Sequence, residues 1–155
     1  MKKYRLTEET KVINGHTLHR IEALKDFGSV KKGELGGWIE KEDNLSQNGK
    51  CWICDEAKVY GNAKVFDDAW IYGEAEVYDN AKVHGYAHVY GNACVYDNAD
   101  VYGDNEVLGN AQVYGTAKVY GCDVWIYDNA KVHGEAKLYN GSFITGDIEI
   151  CDETV

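Results

Sequence analysis

The chain has 155 residues, with 16 basic and 26 acidic side chains and a formal net charge of -10 at pH 7. It contains no apolar run long enough for a membrane span, and its charged start, "MKKYRLTEET", lacks the apolar core of a secretory signal. We therefore expect a cytoplasmic protein that does not enter a membrane. Five cysteines, an odd number, favour free thiols over a disulfide framework.

Charge is unevenly distributed along the chain. Residues 1–50 carry 10 basic and 8 acidic side chains (net +2), whereas residues 51–155 carry 6 and 18 (net -12). The acidic part repels phosphates, which disfavours direct binding to nucleic acid. It indicates either a solvated surface or mimicry of nucleic acid toward a basic protein partner. The candidate carboxylates for such a partner are Asp67, Asp68, Asp79, Asp97 and Asp104.

Residues 1–50 contain no repeat. The sequence "KVINGHTLHRIEAL" places an Asn14-Gly15 turn signal between two strand-like runs, which predicts a β-hairpin. The following glycine-rich stretch, "KKGELGGWIEKEDNLS", is irregular, and we expect Trp38 and Ile39 to pack on the structure that follows. We predict that residues 1–50 form a small N-terminal β cap.

Residues 51–155 repeat every six residues: aliphatic, aromatic, Gly or Asp, polar, Ala, any. One extra residue near "GCDVW" shifts the frame. The aliphatic residue and the alanine two positions before it point to the same side of a short strand, while Gly, Asp and Asn suit a tight corner. Such strands bury a core only when they stack as successive coils. The aliphatic slot contains Ile53, Val59, Val65, Ile71, Val77, Val83, Val89, Val95, Val101, Val107, Val113, Val119, Ile126, Val132, Leu138, Ile144 and Ile150.

This repeat resembles the hexapeptide-repeat family, whose fold is an all-β, left-handed parallel β-helix with three strands per coil. The resemblance covers residues 51–155 and implies about six coils. The end coils of such a fold expose strand edges, which is why we assign residues 1–50 as a cap. Together with "RIEALKDFG", "LGGWIE" and "LSQNGKCWIC", the chain also resembles a bacterial and phage group of hexapeptide-repeat proteins of unknown function.

Three strands per coil give the β-helix the shape of a three-sided prism. The residue after each aliphatic slot faces outward, so residues one coil apart form a column on each of the three faces. Ten of the 12 tyrosines occupy these columns, where stacked aromatic rings would support the sheet surface. Face one has Tyr60, Tyr78, Tyr96, Tyr114 and His133. Face two has Phe66, His84, Tyr102, Tyr120 and Tyr139. Face three has Tyr72, Tyr90, Leu108 and Tyr127.

Face three differs from the other two in its second outward column, which contains three of the four tryptophans. A run of exposed aromatic side chains is larger than monomers usually present, and Trp and Tyr dominate interface energetics. We predict that face three is buried by a second copy of the chain or by the N-terminal segment, with another protein as the alternative. A dimer is favoured and a trimer comes next. The candidate interface residues are Trp52, Trp70, Tyr72, His88, Tyr90, Leu108, Trp125, Tyr127 and Phe143.

Enzymatic alternatives rest on the family resemblance. Hexapeptide-repeat acyltransferases use a histidine near a subunit seam as general base, for which His84 and His88 are the candidates here. No protruding loop interrupts the repeats from Val59 to Val119. Metal enzymes of the γ-carbonic anhydrase type place three histidines on zinc, but the spacing of His84, His88 and His133 does not match that branch.

Two further arrangements carry little chemistry. The two cysteines of "CWIC" point to opposite sides of a strand, which disfavours zinc or thiol-redox use. The corner aspartates are favoured by the corner conformation itself, and a weak calcium row is the alternative interpretation. We therefore predict a non-enzymatic protein-binding module that oligomerises, without a catalytic residue, metal or cofactor. One concrete form is a phage-encoded inhibitor of a host nucleic-acid-binding protein; acyl transfer and metal-dependent catalysis are the alternatives.

Overall fold

The computed structural model describes residues 1–155 and contains β-strands, corners and one short 3₁₀ helix. Its coils stack in parallel as a β-solenoid of about six turns, which confirms the predicted left-handed β-helix. No helix has the length and apolarity that crossing a membrane requires. All five cysteines are unpaired.

Three long strands precede the coils. They are β1 (Tyr4–Ile13), β2 (His16–Ala23) and β3 (Leu35–Ile39), and a 3₁₀ turn follows at Glu42–Asn44. The coil strands are β4 (Trp52–Ile53), β5 (Lys58–Val59), β6 (Lys64–Val65), β7 (Trp70–Ile71), β8 (Glu76–Val77), β9 (Lys82–Val83), β10 (His88–Val89), β11 (Cys94–Val95), β12 (Asp100–Val101), β13 (Asp104–Val107), β14 (Gln112–Val113), β15 (Lys118–Tyr120), β16 (Cys122–Ile126), β17 (Lys131–His133), β18 (Lys137–Tyr139), β19 (Phe143–Ile144) and β20 (Glu149–Cys151).

These strands form three sheets, one for each face of the prism. Face one is a nine-stranded sheet, β1-β2-β3-β5-β8-β11-β14-β17-β20, in which the N-terminal strands continue the coil strands. Face two contains five strands, β18-β15-β12-β9-β6, and face three contains six, β19-β16-β13-β10-β7-β4. Residues one coil apart are in parallel register, so each outward column of the sequence is a column in space.

The core is the column of inward side chains that the repeat predicts. The aliphatic slots from Ile53 to Leu138 and the alanines between them are fully or almost fully buried and form one cluster. Burying this much apolar surface is the main source of stability for such a solenoid. At the end of the chain burial decreases: Ile150 is only partly buried, and Ile148, which replaces the alanine of its hexad, is 47% exposed.

The corners use the left-handed backbone conformation. Asp55, Asp67, Asp79, Asp97 and Asp128 have φ between 56° and 59°, and glycine fills this slot in most other hexads. Each of these aspartates also accepts a hydrogen bond at Oδ2 from the backbone N–H of the residue 18 positions later, at 3.1–3.3 Å. The carboxylate thereby stabilises the next corner while its own residue tolerates the positive φ.

Asp97 allows this double role to be tested. We expect Asp97→Ala to lower the free energy of unfolding by about 1–3 kcal/mol, because alanine resists the positive φ and the bond to the Gly115 N–H is lost. Asp97→Gly keeps the conformation and loses only the hydrogen bond, so its loss should be smaller. Urea unfolding of both variants measures the difference; equal stability of the two would contradict the conformational part of the explanation.

The extra residue lies in β16, where the pairing with β13 shifts between Asp104 and Glu106. Asn105 occupies an alanine slot and is fully buried. Its side-chain oxygen accepts from the Val124 N–H at 2.8 Å, and its amide donates to the Tyr102 carbonyl at 2.6 Å. Asn105 thus satisfies backbone groups that the bulge would otherwise leave unpaired in the core.

The N-terminal segment closes the first coil and extends it. Strand β3 pairs in parallel with β5, and Leu45 bridges to Val65, so Ile39 and Leu45 lie in line with the aliphatic columns. Asn14 and Gly15 form the turn between the antiparallel strands β1 and β2. The segment therefore packs on the solenoid through backbone pairing as well as through side chains.

Lys3 is a buried cation at this closed end. Its Nζ donates to the carbonyl oxygens of Cys51 at 2.8 Å, Gly49 at 3.3 Å and Asn48 at 3.4 Å, and lies 5.0 Å from the centre of the Phe27 ring. Burial lowers the pKa of Lys3, although the nearby Cys51 thiol counteracts this in part. The ammonium ties the first strand to the corner that precedes β4.

Candidate aromatic binding face

The aromatic columns are stacked ladders. On face one the rings from Tyr60 to His133 stack in sequence, and on face two those from Phe66 to Tyr139 do the same. Centroid distances in these ladders run from 4.4 to 5.6 Å, with planes within 14° of parallel. Because the rings use their faces on each other, only their edges point outward. These two ladders therefore support the sheet and leave few ring faces for a ligand.

The N-terminal strands cover the start of face one. Tyr60 is only 3% exposed and clusters with Leu18 and Trp38, and Asn14 donates to its hydroxyl at 3.3 Å. Burial raises the pKa of Tyr60 to about 12. Tyr78 is partly covered by the same cluster. Face one is thus the surface on which the N-terminal segment lies.

Face three is mostly uncovered. The N-terminal segment reaches only Trp52, which is fully buried under the rings of Tyr4 and Phe27, at centroid distances of 6.4 and 5.2 Å. Trp52 points outward as its slot predicts, but it is not available to a partner. The other predicted interface residues, from Trp70 to Phe143, remain partly or largely exposed.

Upstream on face three the side chains pair with one another. Tyr72 and Tyr90 stack at 4.6 Å, and the Tyr72 hydroxyl lies 3.3 Å from His88 Nδ1. Tyr90 donates its hydroxyl to Glu106 Oε1 at 2.6 Å. Burial raises the pKa of both tyrosines, so both hydroxyls stay protonated at neutral pH. His88 Nε2 makes no hydrogen bond within the chain.

Downstream the ladder is interrupted and a groove opens. Leu108 occupies the slot where the pattern places an aromatic ring. Leu108, Trp125, Tyr127 and Phe143 line a groove of about 360 Å³, which we call the aromatic groove. Trp125 is 36% and Phe143 65% exposed, and no charged or amide side chain lines the groove. This is the most apolar concave surface of the molecule.

Two further histidines of the outward columns, His84 and His133, are held by carboxylates on separate faces. His84 Nε2 lies 2.8 Å from Asp100 Oδ1 and its Nδ1 3.7 Å from Asp67 Oδ2 on face two. His133 Nε2 lies 2.6 Å from Glu149 Oε1 on face one. Nowhere do three or more His, Cys, Asp or Glu side chains come together as potential metal ligands.

The predicted acidic candidates lie at corners or strand starts. Asp67, Asp79 and Asp97 each use one carboxylate oxygen for a backbone N–H, and Asp68 accepts from the Lys50 N–H at 3.0 Å. Asp104 begins β13 and is exposed. The hydrogen bonds of the first four carboxylates add a structural task to the corner preference that the sequence already indicates.

The two cysteines of "CWIC" are weak nucleophiles. Burial raises the pKa of Cys51, and it raises the pKa of Cys54 to about 12. Cys51 is fully buried beside Lys3, whereas Cys54 is partly buried and in register with Tyr72 one coil away. Both thiols are therefore protonated at neutral pH.

No protein-family model matches the chain. A curated relative, "Uncharacterized acetyltransferase YdcK" from Escherichia coli (strain K12), is 39% identical in an alignment that covers 42% of this chain and 23% of the relative. The chain thus spans about a quarter of the length of that relative. The similarity is therefore to part of a protein named as an uncharacterized acetyltransferase.

Proposed function

We propose that the protein is a binding module whose face three is buried by a protein partner. A second copy of the chain is the partner that we favour. The observation that carries this proposal is the aromatic groove with the exposed rings of Trp125 and Phe143 beside it. Large exposed aromatic side chains in one patch mark interaction surfaces on soluble proteins.

A second copy fits this surface by symmetry. A two-fold axis through face three would place each aromatic column on the same columns of the partner, which is how most homodimers are built. A three-fold arrangement is the next choice. Faces one and two are less suitable, because the N-terminal strands cover the start of face one and exposed lysines line face two.

Sedimentation velocity of tryptophan variants tests the proposal. We expect the double change Trp70→Ala and Trp125→Ala to weaken self-association by at least about 30-fold, because even one central aromatic anchor contributes about 2 kcal/mol or more. Tyr139→Ala is the matched control, since Tyr139 is 39% exposed but lies on face two. Equal association of the wild type and the double variant would contradict the proposal.

A basic protein is the alternative partner. The corner carboxylates of Asp79 and Asp97 use one oxygen each in the fold, and the other oxygen of each makes no hydrogen bond within the chain. A phage-encoded inhibitor of a nucleic-acid-binding protein, acting in the cytoplasm, is the narrowest form of this alternative. It requires the acidic corners, so Asp79→Asn with Asp97→Asn should weaken it while leaving self-association unchanged.

Acetyl transfer is the second candidate function, and the named relative is the observation that favours it. His88 is the better candidate base, because its Nε2 is free whereas both ring nitrogens of His84 face carboxylates. The test is release of free thiol from acetyl-coenzyme A with a panel of amine and hydroxyl acceptors. Turnover that His88→Ala abolishes would favour an enzyme, and absence of turnover would favour the binding module.

A further inference from the structure

The aromatic groove exists because the face-three ladder is broken. In the intact ladders every ring stacks on its neighbour one coil away, but Tyr127 has Leu108 on one side and Thr145 on the other. None of the rings of Trp125, Tyr127 and Phe143 stacks on another ring. Their faces are therefore not covered by another stacked ring, unlike those of almost all the other tyrosines.

Free aromatic faces attract cations. The face of an aromatic ring carries negative charge density, and a cation within about 6 Å of the ring centre is held by it, most strongly by tryptophan. Glu106 stands in register with Trp125 one coil away, and its Oε1 accepts a hydrogen bond from the Tyr90 hydroxyl, so a negative charge is held one coil from the groove wall. A net charge of -10 further draws cations toward the protein.

The lining determines which cation fits. The groove walls are Leu108 and three aromatic side chains, without a carboxylate or amide acceptor among them. A primary ammonium or a guanidinium would lose most of its hydrogen bonds to water there, because the Tyr127 hydroxyl is the one side-chain acceptor among the lining residues. A quaternary ammonium has no N–H donors and presents methyl groups to the walls, so its transfer from water into the groove has the smallest desolvation cost of the three.

We propose that the aromatic groove is a binding site for a quaternary ammonium group of a small molecule, with Trp125, Tyr127 and Phe143 as the cage and Glu106 as the counter-charge. The site is formed within one chain, so it does not depend on the self-association proposed above. Strand β7 lies three strands from β16 in the sheet, about 14 Å away, so Trp70 can be changed without touching the groove.

Calorimetric titration with choline and with its neutral carbon isostere, in which a tert-butyl group replaces the trimethylammonium, tests this proposal. We expect choline to bind Trp70→Ala, in which self-association is weakened, and to bind the wild type more weakly wherever a second copy competes for the groove; the isostere should bind Trp70→Ala at least about tenfold more weakly than choline. Glu106→Gln should reduce the difference in affinity between choline and the isostere, because it removes the negative charge. Leu108→Tyr should abolish binding, because a tyrosine at this position would continue the ladder and fill the groove.

Each contrary outcome overturns the proposal. Equal binding of the two probes would show that the groove is merely apolar. Absence of choline binding in both the wild type and Trp70→Ala would exclude the site, whether or not self-association occurs. Choline binding retained by Leu108→Tyr and by Phe143→Ala would place the site elsewhere; Phe143 is 65% exposed, so its removal leaves the fold intact.

Discussion

Gly36→Val is expected to detach the N-terminal segment from the first coil or to unfold the protein. A side chain at Gly36 would lie 2.6 Å from the Ile53 carbonyl oxygen and 2.7 Å from atoms of both Ile21 and Trp52. The carbonyl belongs to the coil backbone and cannot move aside without breaking the pairing there. Overpacking of this kind usually costs about 1–3 kcal/mol, and with a backbone clash we expect about 3 kcal/mol or more.

The change can be followed by urea unfolding and by limited proteolysis of residues 1–34. Leu35→Val is the matched control, because Leu35 precedes Gly36 in β3 and is 54% exposed. The control should behave like the wild type. A Gly36→Val protein as stable and as protease-resistant as the control would show that Gly36 does not lie as close to Ile53 and Trp52 as the structure places it.

Lys3→Met is expected to lower the free energy of unfolding by about 2–4 kcal/mol. Methionine keeps much of the apolar stem but leaves the carbonyl oxygens of Asn48, Gly49 and Cys51 without the ammonium donor that now satisfies them. Buried acceptors that lose their donor cost about 1–3 kcal/mol each, and the desolvation of the ammonium offsets part of that loss.

Lys2→Met is the control for this prediction. The Lys2 side chain is 62% exposed, and its ion pair with Glu42 lies at the surface, so we expect little change in stability.

Because burial lowers the pKa of Lys3 in the folded protein, the unfolded chain binds more protons between that lowered pKa and the ordinary lysine pKa near 10.4. The difference in free energy of unfolding between the wild type and Lys3→Met should therefore grow as pH rises through that window. A difference that shrinks would contradict the burial of Lys3.

The repeat predicted the solenoid because each slot of the hexad has one structural task. The inward Val and Ala columns, the stacked outward rings and the left-handed corners all appear where the six-residue period places them. The shift near "GCDVW" also lies where the pattern breaks, between β13 and β16. The period does not predict what a residue does when it departs from the pattern. Asn105, for example, occupies an alanine slot, and its buried amide satisfies backbone groups at the bulge.

The N-terminal segment could be predicted only in outline, because it has no period. The stretch Gly37-Trp38-Ile39 does repeat the order small, outward, aliphatic of a coil strand, and that signal would have assigned β3 to the solenoid. No comparable signal exists for Lys3, since a lysine near a chain start is usually solvated. Its burial depends on the corner of residues 48–51, which lies far from it in sequence.

The candidate site could be predicted as a face but not as a groove. Counting 18 residues per coil brought Trp125, Tyr127 and Phe143 to face three. The period alone does not show that Leu108 opens a cavity between them, or that Tyr4 and Phe27 cover Trp52. The groove depends on Leu108, which replaces the usual aromatic residue of its slot. The burial of Trp52 depends on Tyr4 and Phe27, which lie outside the repeat.

The most direct test of the account is the mass of the wild-type chain in solution, measured by static light scattering over a dilution series. Burial of face three by a second copy predicts a mass of two chains at high concentration that falls toward one chain on dilution. A mass of three chains would support the same face in a three-fold arrangement. A mass of one chain at every concentration would contradict self-association and leave face three to a different partner.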